Sequence, residues 1–238
     1  MRTNNLLCYT LALVAIFSAF TSAMAQDNNH PEVELSAGFD LTSRYQWRGL
    51  LLSPGAAAQP FMEITGKGFT VGAWGSSTLH PYEWQEVDLY LSYEWKNLRL
   101  SVFDYFYFSD TLQNSGFFNY KNNETTHVLE LVAEFTGSEK IPFRVLGAYN
   151  FYGADPTNSM YFELAWMKNI RDTEIEIFGG FTPDKGFYHE SKRGLTNIGV
   201  SAARNIQIND QINVPFQIRL VYNPLVQKTI MVATIGIR

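Results

Sequence analysis

The stretch Val33-Glu34-Leu35-Ser36-Ala37-Gly38-Phe39-Asp40-Leu41-Thr42-Ser43-Arg44-Tyr45-Gln46-Trp47-Arg48 decides the fold. Odd positions carry Val33, Leu35, Ala37, Phe39, Leu41, Ser43, Tyr45 and Trp47, and even positions carry polar residues, arginine and glycine. A period of two places one set on each face of a strand, whereas a helix needs a period near 3.6. Read as one strand, positions 33–48 are far longer than the roughly five or six residues of an ordinary strand. The length is the more informative fact.

The pattern recurs along the chain. Clear alternation over 86–95, 129–135, 160–166, 173–181 and 214–222, with weaker candidates near 57–65, 69–78, 98–108, 143–152, 195–205 and 228–238, makes twelve strands. Links after odd-numbered strands are longer, and five contain a proline: Pro54, Pro81, Pro156, Pro183 and Pro224. Links after even-numbered strands are mostly tight, such as Gly66-Lys67-Gly68 and Lys96-Asn97. Long loops on one side and short turns on the other are what outer-membrane barrels show. The expectation is an all-β, twelve-stranded antiparallel transmembrane β-barrel, with ten or fourteen strands or a soluble lipocalin-like barrel as alternatives.

Walking the strands up and down puts Tyr45, Trp47, Phe106, Phe108, Phe181 and Tyr222 near the loop end, and Tyr93, Trp95, Phe135 and Trp166 near the turn end. Two girdles of rings are expected where a barrel meets lipid headgroups, so these ten are the membrane-interface aromatics. Some residues strain the pattern. Pro60 and Pro215 interrupt strands and call for strand ends or bulges. Asp104 shares a face with Leu100, Val102, Phe106 and Phe108, which asks for a bulge or reversed faces. The last strand is apolar on both faces, with Ile230 and Val232 against Met231 and Ile235, and it ends in Arg238 rather than an aromatic residue.

Composition agrees with a barrel. Only 17% of the 238 residues are charged and 15% are aromatic, yet mean hydropathy is slightly negative. A helical membrane protein is far more hydrophobic, and a disordered chain has far fewer aromatic residues. A net charge of −5 supplies no basic stripe for phosphates, so no nucleic-acid partner is expected. Arg2, the apolar run from Leu6 to Phe20 and Ala23-Met24-Ala25 read as a signal peptide over residues 1–25, leaving 26–238 as one barrel domain. The single cysteine, Cys8, lies inside that leader, so no thiolate site is expected in the mature chain. The expected address is the outer membrane of a Gram-negative cell, reached through the periplasm, with outer-membrane lipid and the barrel assembly machinery as partners.

The stretch Asp40-Leu41-Thr42-Ser43-Arg44-Tyr45-Gln46-Trp47-Arg48-Gly49 resembles the opening signature of an uncharacterised bacterial envelope family, Gcw_chp. Gly68-Phe69-Thr70-Val71-Gly72-Ala73-Trp74-Gly75-Ser76 and Glu86-Val87-Asp88-Leu89-Tyr90 extend the resemblance over the first third of the mature chain. It implies export to the outer envelope and carries no activity with it.

The polar faces nominate a lumen: Asp40, Arg44, Arg48, Glu63, Asp88, Glu130, Arg144, Glu163, Glu176 and Arg219, with Glu94 and Arg99 beside them. Acids outnumber bases among these twelve, so an open pore leans slightly towards cations. Inward charges can equally neutralise one another and close the lumen, because unpaired buried charge is costly. The expected function is passage or capture of a small polar solute in a narrow charged lumen. An outer-membrane hydrolase of lipid and a structural or adhesive barrel with a closed lumen are the alternatives. No catalytic residues are expected, since no Gly-x-Ser-x-Gly pattern occurs and, of His30, His80, His127 and His189, the three in or beside the loops read as exposed. No metal or cofactor is expected, as the histidine spacing matches no ligand motif. In the loop 109–124, Phe117, Phe118 and Tyr120 with Asn114, Asn119, Asn122 and Asn123 form either a sugar-stacking surface or a packed cap.

Overall fold

The computed structural model describes residues 33–79, 84–108, 116–122, 124–208 and 213–237. The leader over 1–25, His30, His80, Pro81, Asn114, Asn123 and Arg238 lie outside the described residues. The strands are β1 (Glu34–Thr42), β2 (Tyr45–Trp47), β3 (Leu50–Ser53), β4 (Ala57–Gly66), β5 (Phe69–Thr78), β6 (Gln85–Trp95) and β7 (Leu98–Phe108), then β8 (His127–Phe135), β9 (Phe143–Gly153), β10 (Met160–Ile170), β11 (Thr173–Thr182), β12 (Gly194–Gln207), β13 (Asn213–Asn223) and β14 (Lys228–Ile237). Twelve of them, β1 and β4 to β14, close into an antiparallel barrel, while β2 and β3 pair only with each other.

The long alternating stretch is therefore two elements and not one strand. The barrel strand ends at Thr42, whose hydroxyl donates to the Arg44 carbonyl oxygen at 2.9 Å. Ser43 still holds β14, its amide donating to Ala233 O (2.8 Å) and its hydroxyl accepting from Ala233 N (2.9 Å). Beyond it the chain turns into the barrel as a short hairpin. Trp47 and Leu50 pair across the two-residue turn Arg48-Gly49, with φ of 46° and 85°. Two successive positive φ values mark the mirror-image turn that matches strand twist. Period two survives the bend because β1 and β2 are both extended, but the environment of each parity changes at Ser43-Arg44.

The hairpin explains β14. Ile230 and Val232 point inward, where with Ala165, Phe178 and Val221 they make an apolar cluster against Leu51 of β3. Met231 and Ile235 are on the outside. A strand apolar on both faces is thus one that meets the exterior and the hairpin.

Three expected irregularities resolve without bulges. Pro60 sits in the body of β4, opposite Phe39, and the β4–β5 register is the same on both sides of it. The missing amide leaves a gap in the ladder near Gln59 and Pro60, partly bridged by Gln59 Nε2 to Ser76 Oγ at 3.4 Å. Pro215 lies near the start of β13. Asp104 faces outward in an unbroken β7–β8 register, and the loop that follows β7 covers it. Bulges do occur opposite Gly180-Phe181 and, at Phe151, opposite Leu129-Glu130. The closing seam is short: among the described residues β1 and β14 share four pairs, Phe39–Ile237 to Thr42–Thr234, against nine between β1 and β4.

Candidate functional site: a capped lumen

The hairpin lies across the long-loop end of the barrel. At its tip, Arg48 donates from Nη1 to Glu130 Oε1 (2.5 Å) and from Nη2 to Glu130 Oε2 (2.9 Å), a bidentate pair inside the wall. Nη1 also donates to the Tyr188 hydroxyl at 2.7 Å. The guanidinium lies 4.3 Å from the Trp47 ring centre and 4.9 Å from that of Tyr161. Tyr188 comes from the loop between β11 and β12 and stacks between Trp47 (5.8 Å) and Tyr161 (5.2 Å). Tyr105 completes the carboxylate, donating to Glu130 Oε2 at 2.7 Å. A charge-assisted fork between planar groups fixes orientation as well as position.

Gly49 locks the tip to β12 and β13. A Cβ there would stand 1.8 Å from the Thr196 carbonyl oxygen, so only glycine fits, and Asn223 Nδ2 donates to Gly49 O at 3.0 Å. The β9–β10 loop supports the second cap segment. Ser159 Oγ accepts from the Phe187 amide (3.0 Å), and Asp155 organises the loop through Thr157, Ser159 and Asn150. Although burial opposes it, those hydrogen bonds from Thr157 and Asn150 hold the Asp155 carboxyl below its ordinary range.

Tyr45 and Trp47, expected among the lipid-facing aromatics, are therefore inside. Tyr45 is buried and 5.6 Å from Trp74, and Trp47 packs on Tyr105, Phe187 and Tyr188. The turn at Ser43-Arg44 is the cause. The other eight aromatics keep their outward parity. Tyr93, Trp95, Phe181 and Tyr222 are well exposed, and Phe69 packs at a tilt on Tyr93 near the short turns. Phe106 also points outward, but Phe117 and His127 cover it.

All ten lumen candidates face the interior, in two groups. Arg144 is the hub of one, with Nη2 at 2.7 Å from Glu163 and 2.5 Å from Glu176, and Glu134 at 3.5 Å. Tyr161 and Asn197 also bond Glu163, the latter at 2.7 Å. This network fills the β8–β12 side of the lumen, and Arg48–Glu130 stands beside it. Asp40, Arg44, Glu63, Asp88 and Arg219 instead line a cavity of about 870 Å³ beneath the hairpin, with Tyr45 and Trp47 in its roof. It runs down to Thr65, Gly68, Thr70, Glu94 and Arg99, beside the short turns. Among the described residues the hairpin lies across one end of the lumen, and the cavity extends from it towards the other.

Tyr105, Tyr161, Tyr188, Glu134 and Asn197 escaped nomination. Tyr105 and Tyr161 could have been found as tyrosines of inward parity; Tyr188, from a loop, carries no periodic signal.

A second polar cluster lies on the outer wall. His127 was expected to be exposed, yet it opens β8 fully buried. Its Nδ1 is 2.6 Å from Asp104 Oδ1 and its Nε2 2.7 Å from Phe117 O, while the Tyr120 hydroxyl donates to Asp104 Oδ2 at 2.6 Å. Tyr120 stacks on the imidazole at 4.2 Å, and Tyr152 donates to Tyr120 O at 2.5 Å. The described part of the loop is thus a packed cap. With both ring nitrogens occupied, His127 has no free position for general-base work. His189 Nδ1 already accepts the Ser191 amide at 3.2 Å. Among the described residues, no group of three His, Cys, Asp or Glu side chains could hold a metal ion.

The sequence matches the model of a family described as bacterial protein of unknown function (Gcw_chp) over residues 25–215, well beyond the first third of the mature chain. No curated protein matches it. One solved chain, from a study called "Unveiling the Mechanism Behind the in-meso Crystallization of Membrane Proteins", is similar with a TM-score of 0.47 and 7% identity, over 87% of this chain and 83% of that one. That degree of likeness is too slight to carry an inference.

Proposed function

The chain belongs to the Gcw_chp family of bacterial proteins of unknown function, and from that premise we propose an outer-membrane barrel that admits a small polar solute into its lumen. The chamber beneath the hairpin carries this reading: about 870 Å³ of space with a polar and aromatic lining, closed above by an ion-paired cap. The outer wall supports the membrane address. Leu35, Met62, Leu91, Leu100, Leu164, Leu220 and Met231 are exposed around the barrel, far more apolar surface than soluble monomers leave uncovered. A closed barrel also satisfies its backbone within itself, as a lipid environment demands.

The hairpin is then a gate at the loop end, and the solute enters from the turn end. In planar bilayers the wild-type protein conducts weakly, and a variant with residues 45–53 excised conducts in steps several-fold larger. Equal silence from both would overturn the reading. The lipid hydrolase finds no support in the geometry around His127 and His189.

A further inference from the structure

Three of the lumen arginines rest on glutamates: Arg48 on Glu130, Arg99 on Glu94, and Arg144 on Glu163 and Glu176. Among the described residues Arg44 and Arg219 have no such partner, and both line the chamber. They are also neighbours. Arg219 pairs with Val232 on one side of β14, and Ser43 bonds Ala233 on the other, so Arg44 follows opposite the same Val232. Two strand spacings separate their backbones, about 10 Å, and both side chains enter one space.

Their donors are in surplus. Arg219 Nε is buried without an acceptor, its guanidinium lying 4.7 Å from the Phe178 ring centre. Gln46 Nε2, also on the chamber wall, is buried without an acceptor. Arg219 is half-buried and Arg44 exposed, so the cost lies in the two buried hydrogen bonds left unmade, at Arg219 Nε and at Gln46 Nε2. An incoming oxyanion offsets both, and the guanidinium fork matches its geometry.

We propose that Arg44, Arg219 and Gln46 form an anion subsite in the chamber, taking the carboxylate or phosphate group of a small solute. This rests on the chamber being the solute site. The acids on the wall bound the ligand's size and charge. Glu63 accepts the Tyr90 hydroxyl at 2.6 Å, Glu94 is held by Arg99, and Asp40 has interactions of its own. Asp88, farther round on β6, is buried with Oδ1 unpartnered, so that oxygen is open to a donor at the solute's other end. The expected solute is a compact anion with a hydrogen-bond donor. The slight cation preference expected from counting charges is reversed at this subsite.

The full chain in detergent, titrated with sodium succinate, inorganic phosphate or xylose at constant ionic strength, reports through intrinsic tryptophan fluorescence, to which Trp47 and Trp74 of the chamber contribute, and through calorimetry. Saturable binding of succinate or phosphate but not xylose, weakened at least tenfold by Arg44→Gln and by Arg219→Gln, supports the subsite. The responding anion separates carboxylate from phosphate recognition. If Arg219→Gln fails to fold, the exposed Arg44 decides alone. No saturable response to either anion, or affinities unchanged in the variants, overturns the subsite. Large conductance in the hairpin-excised barrel together with a silent titration removes the subsite and leaves the proposed function standing.

Discussion

Arg48 and Glu130, 82 residues apart in sequence, meet in a bidentate ion pair that seats the hairpin across the barrel. The Glu130 side chain is 1% exposed, so the guanidinium is its only counter-charge among the described residues. Removing one partner leaves a buried charge alone, and removing both does not. Arg48→Met is expected to lose about 3–5 kcal/mol of unfolding free energy. Arg48→Met with Glu130→Leu should recover most of it while leaving the hairpin unlatched. Urea unfolding in detergent gives both values; a single variant as stable as the double one refutes the latch.

Gly49→Ala tests the same gate without touching a charge. The added carbon meets the Thr196 carbonyl at a backbone conformation that side chains avoid, so the tip must lift. The cost is about 1–3 kcal/mol. Bilayer recordings should show longer openings than wild type, and an unchanged record would place the closure elsewhere.

The outer-wall cluster predicts a local effect. His127→Ala deletes the hydrogen bonds to Asp104 and to Phe117 O, at a cost of about 1–3 kcal/mol in unpaired groups. The segment around Phe117–Tyr120 should then become a site of rapid limited proteolysis while lumen properties stay as in wild type. Protease resistance equal to wild type counts against the cap.

Acid should loosen the cap through Asp155. Its folded-state pKa is depressed, so its contribution is complete above the ordinary carboxyl value near 4 and is lost as pH falls through the lower folded value. Asp155→Asn should be less stable than wild type at pH 6 and converge with it towards pH 3. Thermal midpoints across that window measure the difference, and parallel curves would assign the acid sensitivity to other groups.

Parity made much of the fold legible. Strand count, closure and the inward set from Asp40 to Arg219 follow from alternation, because a barrel wall has two faces and one period. Parity alone could not find the point where the chain leaves the wall. Tyr45 and Trp47 continue the odd series of β1 without a break, and only the turn at Arg48-Gly49 and the inward apolar residues of β14 betray the hairpin. Asp104 looked misplaced because the loop that covers it comes later in sequence. Tyr188 was invisible for the opposite reason, since a loop residue joins the lumen only through tertiary contacts with Trp47 and Tyr161.

The four-pair seam between β1 and β14 sets an order of events. The first barrel strand must wait for the last, so the cylinder cannot close until almost the whole chain is in place. The cap bonds are equally remote, with Arg48 reaching Tyr188 over 140 residues and Asn223 reaching Gly49 over 174. Contacts of such separation form late, because their loops are closed at an entropic cost before anything is gained. Hairpin and seam therefore mature together: β1 carries the hairpin inward as it docks on β14, and the barrel is sealed with its gate already inside.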